Sequence, residues 1–488
     1  MTGIDSSINN NIIDTPEERY LKYKETAEKY KIIQLGIVTW HSNSDNTFTA
    51  TPYTIYLFPT HDSYDSSEQD DRILNCELSS MLFNRNQGSI DFNKWIYKGV
   101  SYLNDKQYKM IYKNIIDDNI NLYDPDDESM YRNVIPSNQL DRQKCLDIIK
   151  DLNENFLNNK ALKDYLIEKI PKYMLYFMVN HLPKGVKKEL YFSILTLKRG
   201  KKVYLLTKVN DEERKKMFKE DTEKQLHYLT TTQKGAKNIY DALINKKSIL
   251  VGHNISLDIL FLISHFGVDL PKSYIEFKEL IRNSFTELFD TKIIYEHFQK
   301  VSCMQLAQET NSVLDKMYPL LRSLYDKDVK ITLNIPHNSN ISYHNGGYDA
   351  YITGCVFLYL KQAYKSEFEM NFKNKIFIMK SLYQCFNIDN KSSTEELFIP
   401  KGEIYCLRAN KGKKTSDIDI TQVIGYELYN KTNHKVFSAE MYNAIIVMIE
   451  FDNSIIKKED FEMMLNQGKK TFTWYSYEEF RKVTRHNK

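Results

Sequence analysis

The sequence predicts an α/β fold, and three stretches carry that prediction. Residues 248–251 (SILV) form a short strand of the buried type that leads into 258–266, where Ile259, Leu260, Leu262, Ile263 and Phe266 recur at helical spacing. Residues 287–292 read as another short strand, and 349–363 as a helix apolar over a broad face. From residue 374 onward, strand-like and helix-like segments alternate in the order βαββαβ. Acids stand at the junctions, with Asp258 and Asp349 at helix starts and Asp290 at a strand end. Open α/β sheets bind ligands at such junctions.

Taken in order, residues 31–40 (KIIQLGIVTW) and 52–60 (PYTIYLFPT) are β-branched and aromatic. The turn formers of 42–46 lie between them, so they predict an antiparallel pair. Residues 1–150 are read as the first part of a core and 231–372 as its second part. Between them, 151–230 reads as a small inserted α/β domain: helical at 162–181, strands at 187–197 and 201–209, and a charged helix at 211–223. Its basic run, Lys198, Arg199, Lys201 and Lys202, is either a phosphate-contacting patch or a solvated turn. Residues 373–488 form the last domain. Strands are expected there at 403–408, 426–429, 444–451 and 471–475, with helices at 416–424 and 457–465. That order is the layout of an RNA-recognition domain, shared with other ferredoxin-like domains. The strand AIIVMIEF lacks the glycine and aromatic spacing of a strong base-stacking strand, so the domain is read as a degenerate version.

Bulk properties exclude several classes. The 488 residues suffice for two to four domains, and 42% hydrophobic content supports packed cores. With 67 Lys+Arg against 64 Asp+Glu, any nucleic-acid surface must be local. Six scattered cysteines show neither metal spacing nor a disulfide framework, which predicts a reducing, intracellular setting. There is no apolar run long enough to span a membrane and no signal-peptide pattern. Nothing distinguishes nucleus from cytoplasm.

GHNISLDILFLISHFGVDLP, ELFDTK and HNGGYDAYITG resemble the poly(A)-specific ribonuclease family, within the ribonuclease H-like exonucleases. DTPEERY at 14–20, KIIQLG, DFNK at 91–94, FKE at 277–279 and KTSD at 414–417 match family positions in family order, so the resemblance covers nearly the whole chain. It implies a ribonuclease H-like mixed sheet with helices on both faces. It also implies a Mg²⁺-dependent 3′-to-5′ exoribonuclease that shortens poly(A) tails of mRNA to 5′-AMP. By the same resemblance, Asp258 and Asp349 are metal ligands for two ions, His344 is the general base, and Lys292 contacts substrate. Ile4 lies near the terminal base, and Asp290 is an auxiliary acid or a structural strand-end residue. Single-stranded RNA with a poly(A) 3′ end is the expected partner, and a homodimer is implied.

The chemistry fits these residue types. Carboxylates brought together repel unless a cation lies between them, and a hard ion such as Mg²⁺ favours oxygen. A near-neutral imidazole takes a proton from a metal-bound water. The bland alternatives are a helix N-terminal acid for Asp258, a helix cap for Asp349 and a polar loop residue for His344. His253 reads as structural, and the Asp-x-Glu at 460–462 as a solvated helix face.

Family members carry Asp-x-Glu in the first core strand, ahead of a stretch that Met1-Thr2-Gly3-Ile4 resembles. The expectation is therefore that the first central strand is missing. Strands at 32–40 and 249–251 should then flank a gap, and the chain as it stands should be inactive. The alternative is a catalytically dead RNA-binding relative; a weaker third reading is action on other RNA or DNA 3′ ends. The family's cap-binding tryptophan has no counterpart in 425–433, and the insert lacks an Arg-x-x-x-His box.

Overall fold

The computed structural model describes residues 1–488 except 5–9, 45, 60–72, 89, 124–134, 137, 169, 183–185, 187, 197–201, 247, 303–306, 308, 336–344, 365–367 and 486–488. It is a mixed α/β protein. The strands are β1 Gln34–Ser44, β2 Thr47–Tyr56, β3 Asp164–Glu168, β4 Leu190–Thr196, β5 Lys202–Lys208, β6 Ile249–Gly252 and β7 Glu287–Asp290. They continue with β8 Lys330–Leu333, β9 Lys375–Phe377, β10 Cys385–Asn387, β11 Glu403–Ala409, β12 Asn433–Ala439, β13 Ala444–Glu450 and β14 Phe472–Ser476. Two compact units result, Met1–Val100 with Ala236–Lys488, and Ser101–Gly235. The second is wider than the expected 151–230, and the residues from 373 onward cluster with the first.

In the first unit, β1 and β2 form the predicted hairpin, closed at Asn46 in the left-handed conformation, and β8 joins β2 in parallel. A second sheet has the order β10-β9-β7-β6, with β6, β7 and β9 parallel. Among the described residues no ladder joins the two sheets, so β1 pairs only with β2 and β6 only with β7. Strands of a parallel sheet are normally buried on both faces. Leu288, Phe289 and Asp290 of β7 are buried in that way. By contrast, no residue of β6 and no described side chain of β1 is buried. The residues of both edges are partly exposed, which lets water reach them. The cost of about 1–3 kcal/mol expected for each buried, unpaired group does not arise.

The helix Gly346–Tyr364 packs against β1, β2 and β6, and so touches both sheets. Its inner face (Ile352, Cys355, Val356, Tyr359, Leu360) joins Phe289, Ile294, Tyr295, Met317 and Leu321 in one apolar core.

The C-terminal sheet has the order β12-β13-β11-β14, all antiparallel. Two predictions here are corrected. Residues 426–429, expected as a strand, begin the helix Tyr426–Lys431, and the second strand is β12 instead. Gly425, at φ +83°, is the break that lets a new helix start. One face of the sheet is covered by helices, with Leu407, Ile445, Val447 and Ile449 packed on Ile420, Ile424, Phe461 and Leu465. The other face is covered too: Cys406, Ile446 and Met448 pack on Ile12, Ile13, Leu382, Ile399 and Phe480. Burial on both faces explains why the AIIVMI stretch of β13 is apolar throughout, since all six of those residues are buried. Hydrogen bonds pin this side, Tyr477 to the Ile13 carbonyl at 2.8 Å and Arg481 to Glu18 at 2.7 Å.

In the second unit, β5 lies between β3 and β4 in an antiparallel sheet. Its core gathers Cys145, Phe156, Met174, Met178 and Leu206. Residues 162–181, expected as one helix, divide into β3 and the helix Lys172–His181. Pro171 is the reason, because a proline disfavours helical backbone in the residue before it. Lys198, Arg199 and Lys201 of the basic run fall outside the described residues. Among the described residues five cysteines are free, and no helix is long and apolar enough to cross a membrane.

Candidate functional site

Asp258 owes its place to β6 and the turn that follows. The chain leaves the sheet at Gly252, turns through Asn254 in the left-handed conformation (φ 56°), and enters the helix Ser256–Phe266. Asp258 lies in the first turn of that helix. Its carboxyl is reached by water, yet protein surrounds it at longer range. That desolvation pushes its pKa up to about 6. The amino group of Met1 pulls the other way, and the charge of Asp290 adds to the rise.

Asp290 holds the turn. It is 1% exposed, and its carboxylate accepts four backbone N–H groups: Asn254 (2.8 Å) and Lys292 (3.0 Å) on Oδ1, Ile255 (3.2 Å) and Phe377 (3.0 Å) on Oδ2. One side chain thus fixes the loop before Asp258, caps the helix Thr291–Val301 and ties in β9. Both of its oxygens accept backbone N–H groups. His253 lies beside this loop, its Nδ1 3.0 Å from Thr291 Oγ1. Burial and the Lys292 charge push its pKa down to about 3.

Asp349 is fixed from the opposite direction. The start of its helix rests on the β1–β2 hairpin: Gly346 N–H donates to Gln34 Oε1 at 2.8 Å, and Gly347 N–H to Thr54 Oγ1 at 3.0 Å. A Cβ on Gly36 would meet the Gly346 carbonyl oxygen at 1.9 Å, so backbone touches backbone here. Asn345 Oδ1 also accepts from Gly347 N–H, which leaves Asp349 inside the first turn rather than capping it. Tyr351, two residues on, stacks on Trp40 with centroids 6.1 Å apart.

Both acids therefore stand in the first turns of helices associated with β6, one following that strand and one packed on it. His344 falls outside the described residues. Among the described residues, no group of three or more His, Cys, Asp or Glu side chains is placed to hold a metal ion. Lys292 Nζ donates to the Ser312 carbonyl at 3.1 Å and lies over the Phe377 ring. Ile4 is 49% exposed, with its N–H on Glu77 Oε2. The Asp-x-Glu at 460–462 lies in the helix Lys458–Gln467, where Glu462 accepts from Tyr405 OH at 3.1 Å. Sequence reasoning undervalued Asp290. Three of its donors, Asn254, Ile255 and Phe377, are far away in sequence, and no local pattern announces them.

Comparison with known proteins identifies the family. The CAF1 family ribonuclease model matches residues 1–357. The poly(A)-specific ribonuclease PARN of Xenopus laevis is 26% identical over 399 residues, covering 76% of this chain and 60% of the relative. The pre-piRNA 3′-exonuclease trimmer of Bombyx mori is 28% identical over 365 residues, covering 72% and 63%. The human poly(A)-specific ribonuclease PNLDC1 is 24% identical over 370 residues, covering 73% and 66%. The chain spans about three fifths of the length of the first two relatives. With the family model extending across most of its length, both acids included, the chain belongs to the CAF1 ribonuclease family.

Proposed function

We propose that this protein has the architecture of a 3′-exoribonuclease of the poly(A)-specific branch, on a ribonuclease H-like core, and that the 488-residue chain engages the 3′ end of single-stranded RNA with little or no hydrolysis. One observation carries the reading: Asp258 stands in the first turn of the helix that follows β6, and Asp349 in the first turn of a helix that packs against β6. Two of the three relatives described are named poly(A)-specific ribonucleases, which favours A-rich ends.

The described residues do not by themselves fit a pair of Mg²⁺ ions. Two ions bridging a phosphodiester require a larger set of carboxylates than Asp258 and Asp349 provide. No step of a reaction is therefore routed through metal here. What these residues do is bind and orient. A carboxylate raised to about 6 by its surroundings gains from a nearby cation, so Asp258 is set to hold positive charge. Asp349 has its position fixed by the hairpin contacts at the start of its helix. His344 is proposed as the base that takes a proton from the attacking water, and Lys292 as a cation near the RNA backbone.

A second reading has its own support. Because no three-ligand group is present among the described residues, a non-catalytic RNA-binding role is consistent with the chain as it stands. The test is release of 5′-AMP from oligo(A) with Mg²⁺, alongside binding of the same RNA. The 488-residue chain should bind and release little or no 5′-AMP. Turnover that disappears in Asp349→Ala would show the accounting of ligands to be wrong. Absence of RNA binding would overturn both readings.

A further inference from the structure

The C-terminal sheet presents a basic rim at one end, and neither the candidate site nor the family match accounts for it. β11 ends and β14 begins side by side, with Arg408 opposite Thr473 and Ala409 opposite Phe472. The ladder continues one step further, where Asn410 N–H donates to the Thr471 carbonyl at 2.9 Å. Lysines flank this step on both strands: Lys411, Lys413 and Lys414 after it, Lys469 and Lys470 before it. All five are exposed.

The two turns are stitched together. Asn410 Nδ2 donates to the Lys469 carbonyl at 2.8 Å, and Thr473 Oγ1 donates to Asn410 Oδ1 at 2.9 Å. Asn443, at the start of β13, donates from Nδ2 to the Lys413 carbonyl at 2.9 Å and accepts from Thr415 N–H at 2.9 Å. The backbone under the lysines is thus held in place while their side chains remain free to reach outward. Asp417 and Asp419 are the acids that follow the first lysines in the chain, and Glu440 lies near Asn443. Neither these nor any other carboxylate makes an ion pair with Arg408 or the five lysines among the described residues. Six like charges held at one edge repel one another, and a polyanion relieves that repulsion.

The covered faces of the sheet make the rim more telling. An RNA-recognition domain stacks bases on the open face of its sheet. Here that face is packed against Ile12, Ile13, Leu382, Ile399 and Phe480, which leaves no room for bases over Cys406, Ile446 and Met448. Phosphate contact at the rim needs no stacking platform. We propose that the rim formed by Arg408, Lys411, Lys413, Lys414, Lys469 and Lys470 binds the phosphate backbone of single-stranded RNA, without reading its bases. This rests on the proposed function and adds the surface that grips RNA outside the site.

The experiment is fluorescence-anisotropy titration of oligo(A) of about 20 nucleotides over a range of salt. The full chain is compared with the charge-reversal variant K411E/K413E/K469E/K470E and with the all-arginine variant K411R/K413R/K469R/K470R. Losing four phosphate contacts should weaken binding roughly a hundredfold near 0.1 M salt and reduce the salt slope by about 3. The arginine variant should bind like the parent, and oligo(U) should bind as oligo(A) does at the rim. Thermal melts of the glutamate variant control for folding, and if it is destabilised, the four-glutamine variant replaces it. If the parent binds RNA and the reversal changes neither affinity nor slope, the rim is overturned while the proposed function stands. If the parent binds poly-glutamate as tightly as RNA, the rim serves an acidic protein and this proposal fails. If the parent binds no RNA, both fail.

Discussion

Asp290 shows how one buried carboxylate can organise the loop before Asp258. Burial pushes its pKa up, and the four backbone N–H groups it accepts pull the other way. An amide in its place offers one oxygen and an NH₂ that faces donors. Asp290→Asn should therefore lower stability by about 2–4 kcal/mol, since it leaves buried N–H groups unpaired. Denaturant unfolding checks this, and a variant as stable as the parent would show that the loop before Asp258 is held by other means. Little of this was legible in advance. Asp258 and Asp349 could be chosen because GHNISLD and HNGGYDAYITG resemble family motifs, each written within about ten residues. The duties of Asp290 depend on Asn254 and Phe377, and the rim depends on lysines more than fifty positions apart. Neighbours of that kind exist only once the chain has folded.

At the scale of the element, the decisive contact is the start of the Gly346–Tyr364 helix on the hairpin. Gly36 and Gly346 bring two backbones together, and side chains of Gln34 and Thr54 take up N–H groups that a helix start leaves unsatisfied. Gly36→Ala forces its Cβ into a carbonyl and should cost about 2–4 kcal/mol. It should also shift Asp349, so a proteolysis or melting assay that finds the variant unchanged would refute the close approach. Elements with strong periodicity, such as 256–266, were readable from sequence. Those governed by one breaker were not: Pro171 splits the expected helix, and Gly425 starts a helix where a strand was expected.

Across the whole molecule, stability should depend on pH through buried histidine. His265 is 5% exposed, its Nδ1 lies 2.9 Å from the Phe261 carbonyl, and burial pushes its pKa down to about 3 from 6.5. The unfolded chain takes up a proton below pH 6.5 where the folded chain does not. Stability is thus fully present above 6.5 and is lost as pH falls toward 3, at up to about 1.4 kcal/mol per pH unit for this group. His253, also held down to about 3, adds to the same slope, so chemical denaturation at several pH values should show it and His265→Gln should reduce it by about half. An unchanged slope in the variant would assign the acid sensitivity elsewhere. The broad α/β class was visible from strand and helix periods alone, and the gap between β1 and β6 was expected from the family resemblance; among the described residues no ladder joins their two sheets.

The open margins of β1 and β6 have a consequence for how the molecule behaves in company. Neither strand carries a lysine, arginine, aspartate or glutamate, the guards with which soluble proteins usually blunt a free margin. Among the described residues, each copy therefore offers its neighbours two hydrogen-bonding templates, and concentrated solutions should favour copies that stack through them.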